Sequence, residues 1–144
     1  KKSLKITSLI FFNTYGPTEN VDAVIPKFVH LASQNKKIFV EGNGTQKRNF
    51  NYISDAVNLI YKIVKSKKYF KKINIGGQRE ASVLEILQII KKFFPNFKIK
   101  FKKERINEIQ NFRCSNSLSR KQFNHIAKVS LVDGIREVVN FYRK

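Results

Sequence analysis

The chain has 144 residues and carries 29 Lys and Arg against 10 Asp and Glu, a formal charge of +19. Hydrophobic residues make up 42% and include 13 Phe, a composition that excludes a disordered basic tail and gives enough chain to bury one core. No run of about 20 apolar residues occurs, so no span is expected. The single Cys, Cys114, excludes an intramolecular disulfide framework and points to a reducing, cytoplasmic setting.

The first expected element is a buried strand over Lys5 to Phe12, ended by the turn residues Asn13-Thr14-Tyr15-Gly16-Pro17. Val24 to Gln34 has apolar residues at helical spacing, with Pro26 tolerated in the first turn. A short strand at Lys37 to Val40 leads into a polar loop, Glu41 to Arg48, containing two glycines. Ser54 or Asp55 is placed to cap a helix running to about Lys65, whose apolar face would be Ala56, Leu59, Ile60, Ile63 and Val64. Lys72 to Ile75 reads as a third strand, closed by Gly76-Gly77.

Ser82 with Glu85 forms a capping box for a helix through Phe94, which Pro95 stops. Phe97 to Phe101 alternates apolar and basic residues, the pattern of a half-buried strand. Ser130 with Asp133 opens a last helix over Gly134 to Phe141. Strands alternating with helices, without repeat or linker, argue one α/β domain over residues 1–144, or part of one. The chain starts Lys1-Lys2 and holds no Met, which reads as a fragment.

The charge admits two explanations. Lys, Ile, Asn and Phe together account for 66 residues, all encoded by A/T-rich codons, and the lysines are scattered as pairs rather than gathered into one block. A basic module for nucleic acid or another polyanion therefore stands as the alternative function, beside a non-functional gene remnant.

Catalytic signatures are sparse. His30 and His125 have no metal-ligand spacing around them, and no metal site is expected. Tyr61 and Lys65 stand at a Tyr-x-x-x-Lys spacing but late on a basic helix, which reads as coincidence. Arg48 beside a glycine loop, Arg79 after Gly76-Gly77, and Arg105 are suited to a polyphosphate, because guanidinium groups grip phosphate oxygens in pairs and three loops can converge on one pyrophosphate.

Four segments in order are more specific than any single residue: Phe12-Asn13-Thr14-Tyr15-Gly16-Pro17, Val24-Ile25-Pro26, Gly42 to Phe50 with Asp55, and Asn74-Ile75-Gly76-Gly77. With the closing Ser130 to Ile135, they resemble the C-terminal half of the NAD-dependent epimerase/dehydratase family, the extended short-chain dehydrogenases that remodel nucleotide-activated sugars. The resemblance implies an α/β substrate lobe, with residues 1–16 as the last strand and turn of a Rossmann domain whose glycine fingerprint, catalytic Tyr and catalytic Lys lie outside this chain. It implies NAD or NADP as cofactor, bound mainly by that other half in cis or as a separate chain, with Phe11 near the nicotinamide. A nucleotide-diphosphate sugar is the implied substrate, and a homodimer is an arrangement the resemblance leaves open.

By the same resemblance, Asn13 would hydrogen-bond a phosphate or the sugar, and Ala23 and Val24 would contact the nucleotide. Phe39 and Glu41 would flank the base, Arg48 and Arg105 would clamp the pyrophosphate, Phe50 would shape the pocket, and Arg79 would lie near the ribose or phosphate. The sequence departs from the family pattern at Ile10, where an Arg is usual, and at Glu41, where an aromatic is frequent.

Overall fold

The computed structural model describes residues 4–17 and 23–143. Residues 1–3 of the expected 1–16 segment lie outside the described part. In chain order the elements are β1 (Ser8–Phe11), β2 (Thr14–Tyr15), α1 (Val24–Ser33), β3 (Ile38–Glu41), β4 (Lys47–Asn49), β5 (Asn51–Tyr52) and α2 (Ile53–Ser66). They continue with β6 (Lys72–Ile75), β7 (Glu80–Ser82), α3 (Val83–Lys91), β8 (Ile99–Lys102), β9 (Asn111–Phe112), α4 (Ser117–Phe123) and α5 (Leu131–Tyr142).

The strands form short ladders. Parallel pairs join β1 to β6, β2 to β5 and β3 to β8, while β4 lies between antiparallel β7 and parallel β9. Parallel strands need crossovers, and the helices supply them, which gives the expected α/β architecture.

Two apolar clusters hold these elements. One gathers Ala56, Leu59 and Ile63 of α2 with Ile73 and Ile75 of β6 and Phe123 of α4. The larger one packs α1, α3 and α5 against β3, with Val29, Ile38, Ile86, Ile90, Ile135 and Val138 fully enclosed. Each helix buries only one stripe, as an amphipathic pattern dictates. Gly134 lets α5 approach the ring of Tyr15, since a Cβ there would stand 2.2 Å from the phenol oxygen.

Both expected serine caps form: the Ser82 hydroxyl accepts from the Glu85 amide and the Ser130 hydroxyl from the Asp133 amide, each at 3.1 Å, while the Glu85 carboxylate turns to Arg79 instead of back to the cap. Other boundaries differ. α3 ends at Lys91 rather than Phe94, with the Phe93 and Phe94 amides both turned onto the Ile90 carbonyl at 3.0 Å. α2 starts from Tyr52, and neither Ser54 nor Asp55 caps it; the Asp55 side chain instead reaches 73 and 74 residues along the chain to the amides of Lys128 and Val129. Val64, expected on the apolar face, is 71% exposed. The expected half-buried strand is β8, whose Phe101 is also exposed while Phe97, ahead of it, is buried.

The polar loop is in part a strand. Its glycines, Gly42 and Gly44, have φ of 66° and 78°, the left-handed backbone that reverses the chain after β3, and β4 starts at Lys47. That reversal sets Arg48 in the centre of the β7-β4-β9 ladder, facing Ala81 and Phe112.

Candidate functional site

A cleft of about 340 Å³ opens between the end of β3, β4 and the first turn of α1, within the size range of small-molecule sites. It collects Asn13, Val24, Phe39, Glu41, Arg48, Phe50 and Arg105, seven of the positions singled out in the sequence. Three further polar residues share it, none of them assigned a role from the sequence: Lys27 on α1, Gln46 before β4, and Glu108 between β8 and β9.

Each side chain is set by its element. Asn13 follows β1 with a φ of 30°, a left-handed conformation asparagine tolerates better than most residues. Its amide donates to the Asn49 carbonyl at 3.0 Å, and its own carbonyl accepts from the Asn51 amide at 3.3 Å. Asn49, 2% exposed, in turn brackets the Gly77 peptide, its Oδ1 accepting from the amide at 2.7 Å and its Nδ2 donating to the carbonyl at 3.3 Å. Asn116 adds a second donor to the same carbonyl at 2.8 Å. Gly77 is fixed there by space, because a Cβ would stand 1.8 Å from the Phe50 carbonyl oxygen.

The two arginines of the cleft are paired. Arg48 donates to the Glu108 carboxylate and to the Ile109 carbonyl, and to the Lys47 carbonyl at 3.0 Å. Arg105 grips Glu41 with two nitrogens, Nη2 donating to Oε1 at 2.8 Å and Nε facing Oε2. The Arg48 pair is the more enclosed, with side chains 22% and 15% exposed against 70% and 36% for Arg105 and Glu41. Lys27, Arg48 and Arg105 against Glu41 and Glu108 leave the cleft positive overall. Phe39 and Phe50 add flat apolar surface to the lining, with Lys102 Nζ 4.3 Å from the centre of the Phe39 ring.

Three singled-out residues stand elsewhere. Arg79 does not converge with Arg48 and Arg105; it lines a separate hollow of about 140 Å³ with Gln78 and Ser130, reached across Phe50. It donates to both carboxylate oxygens of Glu85 and to the Glu80 carbonyl at 3.0 Å, and the hydrogen bond to Arg79 holds the Glu85 carboxyl below its ordinary pKa. Ala23 caps α1 in a third hollow, beside Thr14, Gly16 and Pro26. Phe11 ends β1 half exposed.

The remaining titratable candidates stand apart from the cleft. His30 Nε2 lies 3.2 Å from the Gln34 amide nitrogen, and buried His125 has its pKa lowered mainly by burial, then by Lys62. Tyr61 is exposed on α2 with Lys65 Nζ 5.7 Å from its ring centre. Burial pushes the Cys114 thiol up to about 11, which makes it a poor nucleophile. Among the described residues no group of three His, Cys, Asp or Glu is disposed to hold a metal, and no helix is long and apolar enough to cross a membrane.

This fold is that of the extended short-chain dehydrogenases. It superimposes with a TM-score of 0.88 on an NAD-dependent NDP-hexosamine 5,6-dehydratase of tunicamycin biosynthesis, at 29% identity over 98% of this chain and 46% of that one. A TM-score of 0.90 relates it to a UDP-glucuronic acid 4-epimerase variant from Bacillus cereus, solved with a fluorinated UDP-glucuronic acid and NAD, at 26% identity over 97% and 46%. The human dTDP-D-glucose 4,6-dehydratase is 29% identical over 139 residues, 92% of this chain and 40% of that protein. The chain belongs to the NAD dependent epimerase/dehydratase family, whose model matches residues 1–76. It spans less than half the length of these relatives.

The residues described here do not form a dinucleotide cradle. Such a cradle needs a glycine turn leading directly into a helix N-terminus, whereas the five helices are entered from Ala23, Tyr52, Ser82, Asn116 and Ser130. Gly76-Gly77 leads from β6 into β7, and the Gly42 to Gly44 turn leads into β4.

Proposed function

We propose that this chain is the substrate-binding portion of an NAD(P)-dependent nucleotide-sugar epimerase or dehydratase. It holds a nucleotide diphosphate in the cleft so that the sugar meets a nicotinamide bound mainly by residues outside the chain. The observation that carries the reading is the meeting of Arg48 from β4 and Arg105 from the segment after β8 in one positive cleft faced by Phe39 and Phe50. Guanidinium forks match phosphate oxygens two at a time, and aromatic faces suit a stacked base. Asn13, anchored through Asn49, has its second Nδ2 proton to donate to a phosphate oxygen and its Oδ1 to accept from a sugar hydroxyl; Val24 closes the nucleotide side, with Ala23 at the margin.

The chain supplies binding and orientation, the source of effective molarity, and the proton-transferring Tyr and Lys belong to the part outside it. Alone it binds without turnover. The exposed apolar stripe of α2, Ile53, Val57, Tyr61 and Val64, together with the half-exposed Ile10 and Phe11 of β1, suits burial against that other part.

Calorimetric titration with UDP tests the reading. UDP should bind the chain, and Arg48→Ala and Arg105→Ala should each weaken it about 10- to 100-fold, the loss of a charge-assisted contact of about 1.5–3 kcal/mol. Binding of single-stranded DNA with a steep salt dependence, without UDP binding, would favour the polyanion alternative instead.

A further inference from the structure

The connection from β8 to β9, residues 103–110, crosses the cleft and is tied to it by two ion pairs of opposite sense. Its Arg105 grips Glu41 at the end of β3, and its Glu108 takes Arg48 of β4. Its far end is also held to β4, where Arg48 donates to the Ile109 carbonyl and the Lys47 amide to the Gln110 carbonyl at 2.7 Å, while the tip between the two pairs is open. Ile106 is 92% exposed, Asn107 turns the chain with a φ of 63°, and the Glu108 amide closes onto the Arg105 carbonyl at 3.3 Å. Both guanidinium groups that face the cleft therefore already carry a carboxylate, a planar pair of oxygens of the same spacing class as two phosphate oxygens.

We infer that Glu41 and Glu108 are displaceable internal counter-anions, which occupy the phosphate forks of Arg105 and Arg48 and must yield both before a diphosphate is bound. The inference rests on the diphosphate reading of the cleft and names what that ligand competes with. A carboxylate brings one negative charge to each fork and a diphosphate brings more, so the exchange runs toward the ligand. A singly charged anion, or one too short to reach both forks, leaves at least one carboxylate in place. The two residues thus set a threshold on charge and reach, selecting diphosphates over monophosphates. The enclosed Arg48–Glu108 pair is the stronger barrier and the exposed Arg105–Glu41 pair the weaker, because solvent screens the second.

Glu108→Gln and Glu41→Gln keep the shape of each side chain and remove the competing charge. Titrated with UDP, with inorganic pyrophosphate and with UMP, Glu108→Gln should tighten UDP and pyrophosphate about fivefold or more, and Glu41→Gln about two- to threefold. UMP should gain most in the double variant, narrowing the preference for the diphosphate. Ligand-free hydrogen exchange gives a second readout: amides of residues 105–109 should exchange faster in Glu108→Gln. Unchanged or weaker UDP binding in both single variants, with Arg48→Ala still weakening it, overturns the inference and leaves the diphosphate reading standing. No binding of UDP or pyrophosphate by any form, the double variant included, overturns both.

Discussion

Replacing Asp55 by Ala removes a carboxylate that is 4% exposed and accepts two backbone hydrogen bonds through one oxygen, from Lys128 at 3.0 Å and Val129 at 2.9 Å. These bonds tie α2, in the smaller apolar cluster, to the segment that leads into α5, in the larger. A hydrogen bond to a charged group contributes about 1.5–3 kcal/mol, and an amide left unpaired in a buried place adds its own desolvation cost. Two such bonds give a loss of about 3–6 kcal/mol, a large share of the roughly 5–15 kcal/mol that holds an ordinary domain. At about 2–4 °C per kcal/mol, the melting temperature should fall by roughly 10 °C. Asp55→Asn keeps an acceptor for the amides and should recover about half of the loss. Urea unfolding followed by circular dichroism measures both variants, with an unchanged slope showing that the folded state is intact. A loss below about 1 kcal/mol for Asp55→Ala would refute the idea that this carboxylate joins the two clusters.

Further outcomes follow from the same geometry. Gly77→Ala should destabilise the chain by about 2 kcal/mol or more, since its Cβ would meet the Phe50 carbonyl oxygen at 1.8 Å, and it should weaken UDP binding by shifting Phe50; wild-type-like unfolding and binding would contradict the close approach. His125 is held below its ordinary pKa, so the unfolded chain takes up the proton first and stability falls as pH drops below about 6.5. Melting scans should decline from pH 7 to 5 in the wild type and flatten in His125→Gln, while the lowered carboxyls of Glu85 and Asp133 contribute losses only below about pH 4.5. The exposed stripe of α2 should make the isolated chain self-associate; sedimentation velocity should show a concentration-dependent shift that Val57→Lys with Val64→Lys reduces, and a monomer at every concentration would count against it.

Helices were legible in the sequence wherever a cap and an apolar stripe agreed, as at Ser82 and Ser130, because both signals act within one or two turns. Asp55 misled for the opposite reason: it sits where a cap would, yet its partners are more than 70 residues away. β4, β7 and β9 were illegible because strands of two or three residues have no room for alternation, and their pairing is set by contacts distant in sequence. α4 (Ser117–Phe123) left too short a stripe to read.

The cleft was legible through ordered motifs rather than through spacing. Guanidinium chemistry singled out Arg48, Arg79 and Arg105 together; Arg48 and Arg105 meet in the cleft, and Arg79 is carried by β7's approach to a different hollow. Glu108 was missed, since nothing in a stretch around Arg105 reports that its partner is Arg48, 60 residues earlier.

The most direct test of the substrate-lobe account is an amide-resonance titration of the isotopically labelled chain with UDP. The account predicts saturable shifts at Phe39 to Gly42, Gln46 to Phe50 and Arg105 to Ile109, lost together in Arg48→Ala. Shifts confined to Gln78, Arg79 and Val129 to Val132, or none at saturating UDP, would contradict it.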